Sequence, residues 1–191
     1  MATAPDTELI ARSRTGDHTA FRMLVERYES QVAGTVIGML GNGEEAEDVG
    51  QEVFIRFYRS IENFRGDSSL GTYLTRIAIN LSLNALKKRK RKQLFGFFTG
   101  ENNGPEFQVP DNGQTREHQE TQELVQKALL GLEKDFRAVL VLRMIDGYSS
   151  KETAEILNLP MGTVLSRLSR AQKKLKEILE NTYGYHFHEV G

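Results

Sequence analysis

The stretch SSKETAEILNLPMGTVLSRLSRAQKKLKEIL, Ser149 to Leu179, decides the fold of the half of the chain that contains it. Ser149, with Glu152 three residues on, has the form of a capping box, in which the two residues satisfy each other's donors at a helix start. The helix it opens holds Ala154, Ile156 and Leu157 and ends near Asn158, and Leu159-Pro160 makes the turn. A second helix is expected from about Met161 to Leu179, with Val164, Leu168, Ala171, Leu175 and Ile178 facing inward at three- and four-residue steps. Its outward face offers Ser166, Arg167, Ser169, Arg170, Lys173 and Lys174, and from Val164 to Lys176 there are five basic residues and no acid. A supporting helix with Phe136, Val139, Leu140, Leu142 and Arg143 precedes the pair and stops at Asp146-Gly147. A basic helix that comes second in a tight helical pair suits the DNA major groove. The plainer alternative is a helical hairpin with a basic surface.

Towards the N-terminus the helical pattern breaks and then returns. From Gln93 to about Glu120 it is interrupted by Gly100, Gly104-Pro105 and Pro110-Asp111-Asn112-Gly113, which reads as a flexible linker. Before it, four helices are expected: about Asp6 to Thr15; Thr19 to Leu40, with Phe21, Leu24, Val25, Tyr28, Val32, Val36 and Leu40 on one face; Glu44 towards Phe64; and Gly71 to Lys92. Gly41-Asn42-Gly43 ends the second, and Glu44, Glu45, Glu47 and Asp48 suit the start of the third. The fourth places Leu74, Ile77, Ala78, Leu81 and Ala85 on a core face, and Tyr73, Arg76, Asn80, Asn84, Lys87 and Arg91 on a second face. It ends in six consecutive cations, Lys87 to Lys92, more than helix capping needs. Cations beside an aromatic and amides suit nucleic acid, because phosphates supply affinity while ring faces and amides engage bases.

The expected architecture is therefore all-α: two small helical domains, residues 1–92 and 121–182, joined by a flexible linker at 93–120 and followed by a tail at 183–191. No strand alternation and no internal repeat is found. Of the 191 residues 39% are hydrophobic and 27% charged, with a net charge of −1, so binding to polyanions must come from local patches. The absence of cysteine excludes disulfides and thiolate metal sites. The first residues carry neither a basic start nor an apolar run, and no stretch matches the apolar length that spans a bilayer, which suggests a cytoplasmic protein.

Three stretches carry a family resemblance. Ala46 to Phe54 (AEDVGQEVF), Phe64 to Ser69 (FRGDSS) and Tyr73 to Asn80 (YLTRIAIN) resemble the second conserved region of extracytoplasmic-function sigma factors. Ala154 to Ala171 (AEILNLPMGTVLSRLSRA) resembles their fourth region. The resemblance implies a subunit that takes core RNA polymerase to particular promoters and assists their melting. It implies that Asp48, Gln51 and Glu52 face the polymerase. Ser68, Ser69, Tyr73, Arg76, Asn80, Asn84, Lys87 and Lys88 would meet the minus-ten element, with the loop Phe64 to Thr72 receiving a flipped base. Thr163, Ser166, Arg167, Arg170 and Lys173 would meet the minus-thirty-five element. Leu165, Ser169 and Glu133 depart from the family's usual residues; the first two bear on DNA contacts, the third on how a helix starts. The implied partners are core polymerase, promoter DNA and an anti-sigma factor, often a membrane-bound one that would hold the protein at the inner membrane face. No cofactor and no small-molecule substrate is implied.

Two rival classes stand beside this reading. A helix-turn-helix regulator that binds duplex DNA unaided would leave Asp48, Gln51, Glu52 and the helix of Asn80 unexplained. An enzyme could pair Asp48 with Glu52, one turn apart, but acid–base work needs a pocket and separated pKa values. His186 and His188 in the tail make a weak metal site, and there is no Gly-rich phosphate loop, so no catalytic residue and no metal ligand is assigned.

Overall fold

The structure, a computed structural model, describes residues 4–99 and 116–184, with side chains for 4–93, 121–182 and 184. The tail histidines His186 and His188 and the punctuated part of the expected linker, residues 100–115, lie outside the described residues. Every regular element among the described residues is helical: α1 (Asp6–Arg14), α2 (His18–Leu40), α3 (Glu44–Ser60), a 3-10 turn (Ile61–Asn63), α4 (Leu70–Thr99), α5 (Arg116–Leu130), α6 (Lys134–Leu140), a π-helical turn (Val141–Ile145), α7 (Ser150–Leu157) and α8 (Met161–Tyr183).

Local chemistry sets several of the ends. The Asp17 carboxylate accepts from the Thr19 and Ala20 amides and starts α2. Gly41, at φ 85°, stops it in a conformation that side-chain-bearing residues avoid. The Ser69 hydroxyl accepts from the Thr72 amide at 3.1 Å and caps α4. The Ser149–Glu152 capping box forms as expected, and Asn158, at φ 52°, ends α7 in the left-handed region. Two helices run further than their patterns indicate. α4 continues to Thr99, and α8 continues to Tyr183 before Gly184.

In the first domain α2 is the central helix, packed by α1, α3 and α4. Leu24, Val32, Val36, Met39, Val53, Phe57, Leu74 and Ile79 are essentially inaccessible. In the second, α6 and α8 enclose Val139, Leu140, Val164 and Ala171. The apolar contacts do not stop at the domain boundary: Ala138, Val141, Leu142 and Ile156 of the second domain belong to the same buried cluster as α2 and α4. Sequence periodicity identifies which face of a helix is apolar but not what covers it, so this junction was not foreseen.

The junction includes a titratable group. Asp146, half-buried after the π-helical turn, accepts from the Thr35 hydroxyl at 3.0 Å. Burial raises its pKa to about 6, against the smaller opposing effect of that hydrogen bond. A carboxyl whose pKa rises on folding stabilises the fold fully below its unfolded pKa, near 4, and loses that contribution as pH rises through 6. The stability difference between the unmodified protein and Asp146→Asn should therefore change between pH 4 and pH 7, by at most about 3 kcal/mol. Urea unfolding of both proteins across that range measures it, and parallel profiles would refute the assignment.

Candidate polymerase and nucleic-acid interfaces

Three surfaces hold the residues singled out by sequence. The first is a groove of about 830 Å³ between α2 and α3. Val25, Val32, Ala33, Ile37, Ala46 and Phe54 give it an apolar lining, and Glu29, Glu44, Glu47 and Gln51 give it a polar, acidic one. Asp48 and Gln51 are exposed on α3, whereas Glu52 pairs with Arg56 at 2.8 Å one turn along. Sequence reasoning read Glu44 and Glu47 as helix-start acids, gave Phe54 only as the end of the family motif, and passed over Glu29. Only the packing of α2 on α3 brings these four to one groove. An apolar trough with acidic walls suits an amphipathic, basic protein segment.

The second surface is α4. Asn80, Asn84, Lys87 and Lys88 are exposed along one side of it. Arg89 is different: it pairs with Glu45 and fastens α4 to the start of α3, so one cation of the run belongs to the scaffold. Tyr73 is half-buried, its ring edge-on to Phe57 and Phe64 with centroids 6.1 and 5.0 Å away and its hydroxyl 3.0 Å from Ser60 Oγ. Both rings shape the base of the preceding loop. Arg76 is half-buried, with Nε unpartnered among the described residues. Ser69 is the α4 cap, while Ser68 is half-buried beside it. Arg14 of α1 holds the loop from the other side, donating to the carbonyl oxygens of Ile61 at 3.0 Å and Phe64 at 2.5 Å.

The third surface is α8. Ser166, Arg170 and Lys173 are exposed, and Thr163 is half-buried in the first turn. Arg167 leans 4.0 Å from Asp135 with its side chain 30% exposed, so part of its charge is already answered. Lys174 belongs to the scaffold: it pairs with Glu133 at 2.9 Å and lies 4.8 Å over the Phe136 ring. Its ammonium holds the Glu133 carboxyl below the usual range. Glu133, at the N-cap of α6, thus ties that helix start to α8.

Comparison with known proteins gives the family of the chain. The model of sigma-70 region 2 matches residues 24–92, and that of sigma-70 region 4 matches residues 122–175. The RNA polymerase sigma-H factor of Pseudomonas aeruginosa is 34% identical over 92% of this chain and 94% of its own. The ECF RNA polymerase sigma-E factor of Escherichia coli is 36% identical over 89% of this chain and 92% of its own. The chain belongs to the extracytoplasmic-function sigma factors. Its fold is that of the sigma factor RpoE of Bartonella quintana, solved in complex with the anti-sigma factor NepR, with a TM-score of 0.69 at 24% identity over 84% of this chain and 96% of that one. CnrH, solved with the cytosolic domain of CnrY, gives a TM-score of 0.66, also at 24% identity, over 92% of this chain and 97% of that one. Sigma factors are transcription initiation factors, and the all-helical, two-domain architecture agrees with both matched regions. Among the described residues no group of acids and histidines is placed to hold a metal, and no helix is long and apolar enough to cross a membrane.

Proposed function

We propose that this sigma factor binds core RNA polymerase through the α2–α3 groove with Asp48 and Gln51, meets the minus-ten element with the loop before α4 and with Asn80, Asn84, Lys87 and Lys88, and meets the minus-thirty-five element with Thr163, Ser166, Arg167, Arg170 and Lys173. The observation that carries the reading is the pairing of two exposed basic helices, one in each domain, with an acidic-walled groove on a third face. A regulator that binds DNA unaided has no use for that groove. We further propose that the protein works in the cytoplasm under an anti-sigma factor, the class of partner named for the Bartonella structure.

Transcription in vitro with core polymerase and a promoter library tests the class. Asp48→Ala combined with Gln51→Ala should weaken core binding about tenfold or more, as loss of polar groups at a contact does, while circular dichroism stays native. Unchanged affinity for core would remove the groove from the proposal. Tight footprinting of a promoter without polymerase would favour the stand-alone regulator.

The two kinds of contact on α8 are separable. Arg167→Ala should cost about 1–3 kcal/mol at one promoter position and relax preference there, as a lost bidentate base contact does. Lys173→Ala should weaken every sequence alike and flatten the salt dependence, as a lost phosphate contact does. Uniform loss across promoter variants for both proteins would reassign Arg167.

A further inference from the structure

α8 changes character along its length. Met161 and Leu165, one turn apart at its start, are 54% and 48% exposed, and Gly162, Ser166 and Ser169 are exposed beside them. Between Met161 and Ser169 the helix has one charged residue, Arg167, and Asp135 approaches it at 4.0 Å. The exposed cations Arg170 and Lys173 come after this stretch. The helix thus presents hydrocarbon and hydroxyl first and positive charge second.

An exposed leucine is common on protein surfaces and by itself needs no cause. The place of this one gives it meaning. The opening turns of the second helix in a helix-turn-helix are the ones presented to base edges. Val164 and Leu168, its neighbours on α8, are packed into the domain, whereas Leu165 joins none of the apolar clusters among the described residues. Base edges in the major groove carry acceptors, amino donors and one hydrocarbon group, the 5-methyl of thymine. A leucine neither donates nor accepts, so the methyl is the feature of that groove it can recognise, by removing apolar surface from water on both sides. Ser166 Oγ donates to the Thr163 carbonyl at 3.0 Å, so it offers a base an acceptor and no proton for a thymine O4. Selection of thymine then falls to the methyl. The stretch from Met161 to Ser169 is about 12 Å long, or about three to four base pairs, so Leu165 addresses one position of the element and Arg170, further along, another.

We propose that Leu165, flanked by Met161, reads the 5-methyl group of a thymine in the minus-thirty-five element and so fixes one thymine in the promoters this sigma factor accepts. The inference rests on the proposed role of α8 and adds a contact of another kind to it. The cations and hydroxyls of α8 serve phosphates and polar base edges. This contact is apolar, carries no salt dependence, and separates thymine from cytosine, which has no methyl at that place.

The test uses the full chain assembled with core polymerase, on the best promoter from a minus-thirty-five library. Each thymine of the element, on either strand, is replaced in turn by deoxyuridine, which lacks only the methyl. At one position the unmodified protein should lose about fourfold in promoter affinity, the equivalent of about 0.8 kcal/mol for one carbon taken from an apolar contact. Leu165→Ala should fold natively, because the side chain is exposed and alanine is a good helix former. It should bind core as before, lose the sensitivity to that methyl, and keep the salt dependence. Leu165→Arg should exchange thymine for guanine at that position, because guanine N7 and O6 accept from a guanidinium. An optimal element without thymine, deoxyuridine tolerated everywhere, a methyl effect that survives in Leu165→Ala, or an unchanged preference in Leu165→Arg overturns the inference. So does weaker core binding by Leu165→Ala, which would put the leucine against polymerase. Arg170→Ala combined with Lys173→Ala separates this from the reading it rests on. If that pair leaves promoter affinity and its salt dependence unchanged, α8 is not the DNA-reading helix and both fail. If the pair weakens binding while methyl removal does nothing, the inference on Leu165 fails and the reading of α8 stands.

Discussion

Replacing Phe57 by alanine is expected to destabilise the protein by about 3–5 kcal/mol, the usual cost of truncating a buried aromatic. Phe57 is wholly inaccessible and joins α3 to three other rings: Phe21 of α2 at 5.9 Å, and Phe64 and Tyr73 on either side of the loop before α4, both at 6.1 Å. A domain of this size has about 5–15 kcal/mol in total, so the loss is about a fifth of it or more. The effect should reach the loop before α4, because Phe64 and Tyr73 are braced edge-on by that ring. Denaturant unfolding measures the first expectation, and amide exchange of residues 64–72 measures the second. A loss below 1 kcal/mol would mean that the neighbouring rings close the cavity and that Phe57 is not the support described here.

The second large effect concerns opening of DNA rather than folding. Taking a base out of its stack costs a few kcal/mol, and a protein that holds the melted strand must offset that. Asn80 is exposed on α4 about two turns beyond the loop, where its amide has no partner among the described residues. Asn80→Ala should leave the fold, core binding and minus-thirty-five recruitment nearly intact. Strand separation should slow by about ten- to a hundredfold, the equivalent of a lost base contact of about 1–3 kcal/mol. Permanganate reactivity of unpaired thymines near the minus-ten element reports it, and a premelted template should rescue most of the loss. Melting at the unmodified rate would take Asn80 out of the site. Tyr73, which shares that side of the helix, is a poor choice for the same experiment. Its ring already packs against Phe57 and Phe64 and its hydroxyl lies at Ser60, so removing it would mix a stability loss with any DNA effect.

Much of the candidate site was legible because its residues are local. The Ser149–Glu152 box, the Asn158 stop and the cations of α4 and α8 each lie within one helix or turn, and period and end chemistry suffice to place them. Side chains whose role depends on another helix were read less well. Arg89, Arg167 and Lys174 count as free cations in the sequence, yet Glu45, Asp135 and Glu133 approach them from other elements. Ser69 was read as a base contact and is also the cap of α4; its spacing to Thr72 was the signal passed over.

The amino-acid order alone determined an all-helical chain of two domains, the helix-turn-helix, the family and the helices that carry its exposed basic charge. Periodicity and capping operate over a few residues, and that is the range over which a single sequence is explicit. Only the tertiary structure decided that the domains share a buried cluster and that α2 ends on side chains of the other domain. Gly38 is the plainest case. In the sequence it is a weak point in an otherwise good helix, and its use appears only when Val141 and Ile145, more than a hundred residues away, are seen against it. Contacts at that separation follow from shape and desolvation summed over whole faces, which no local pattern records.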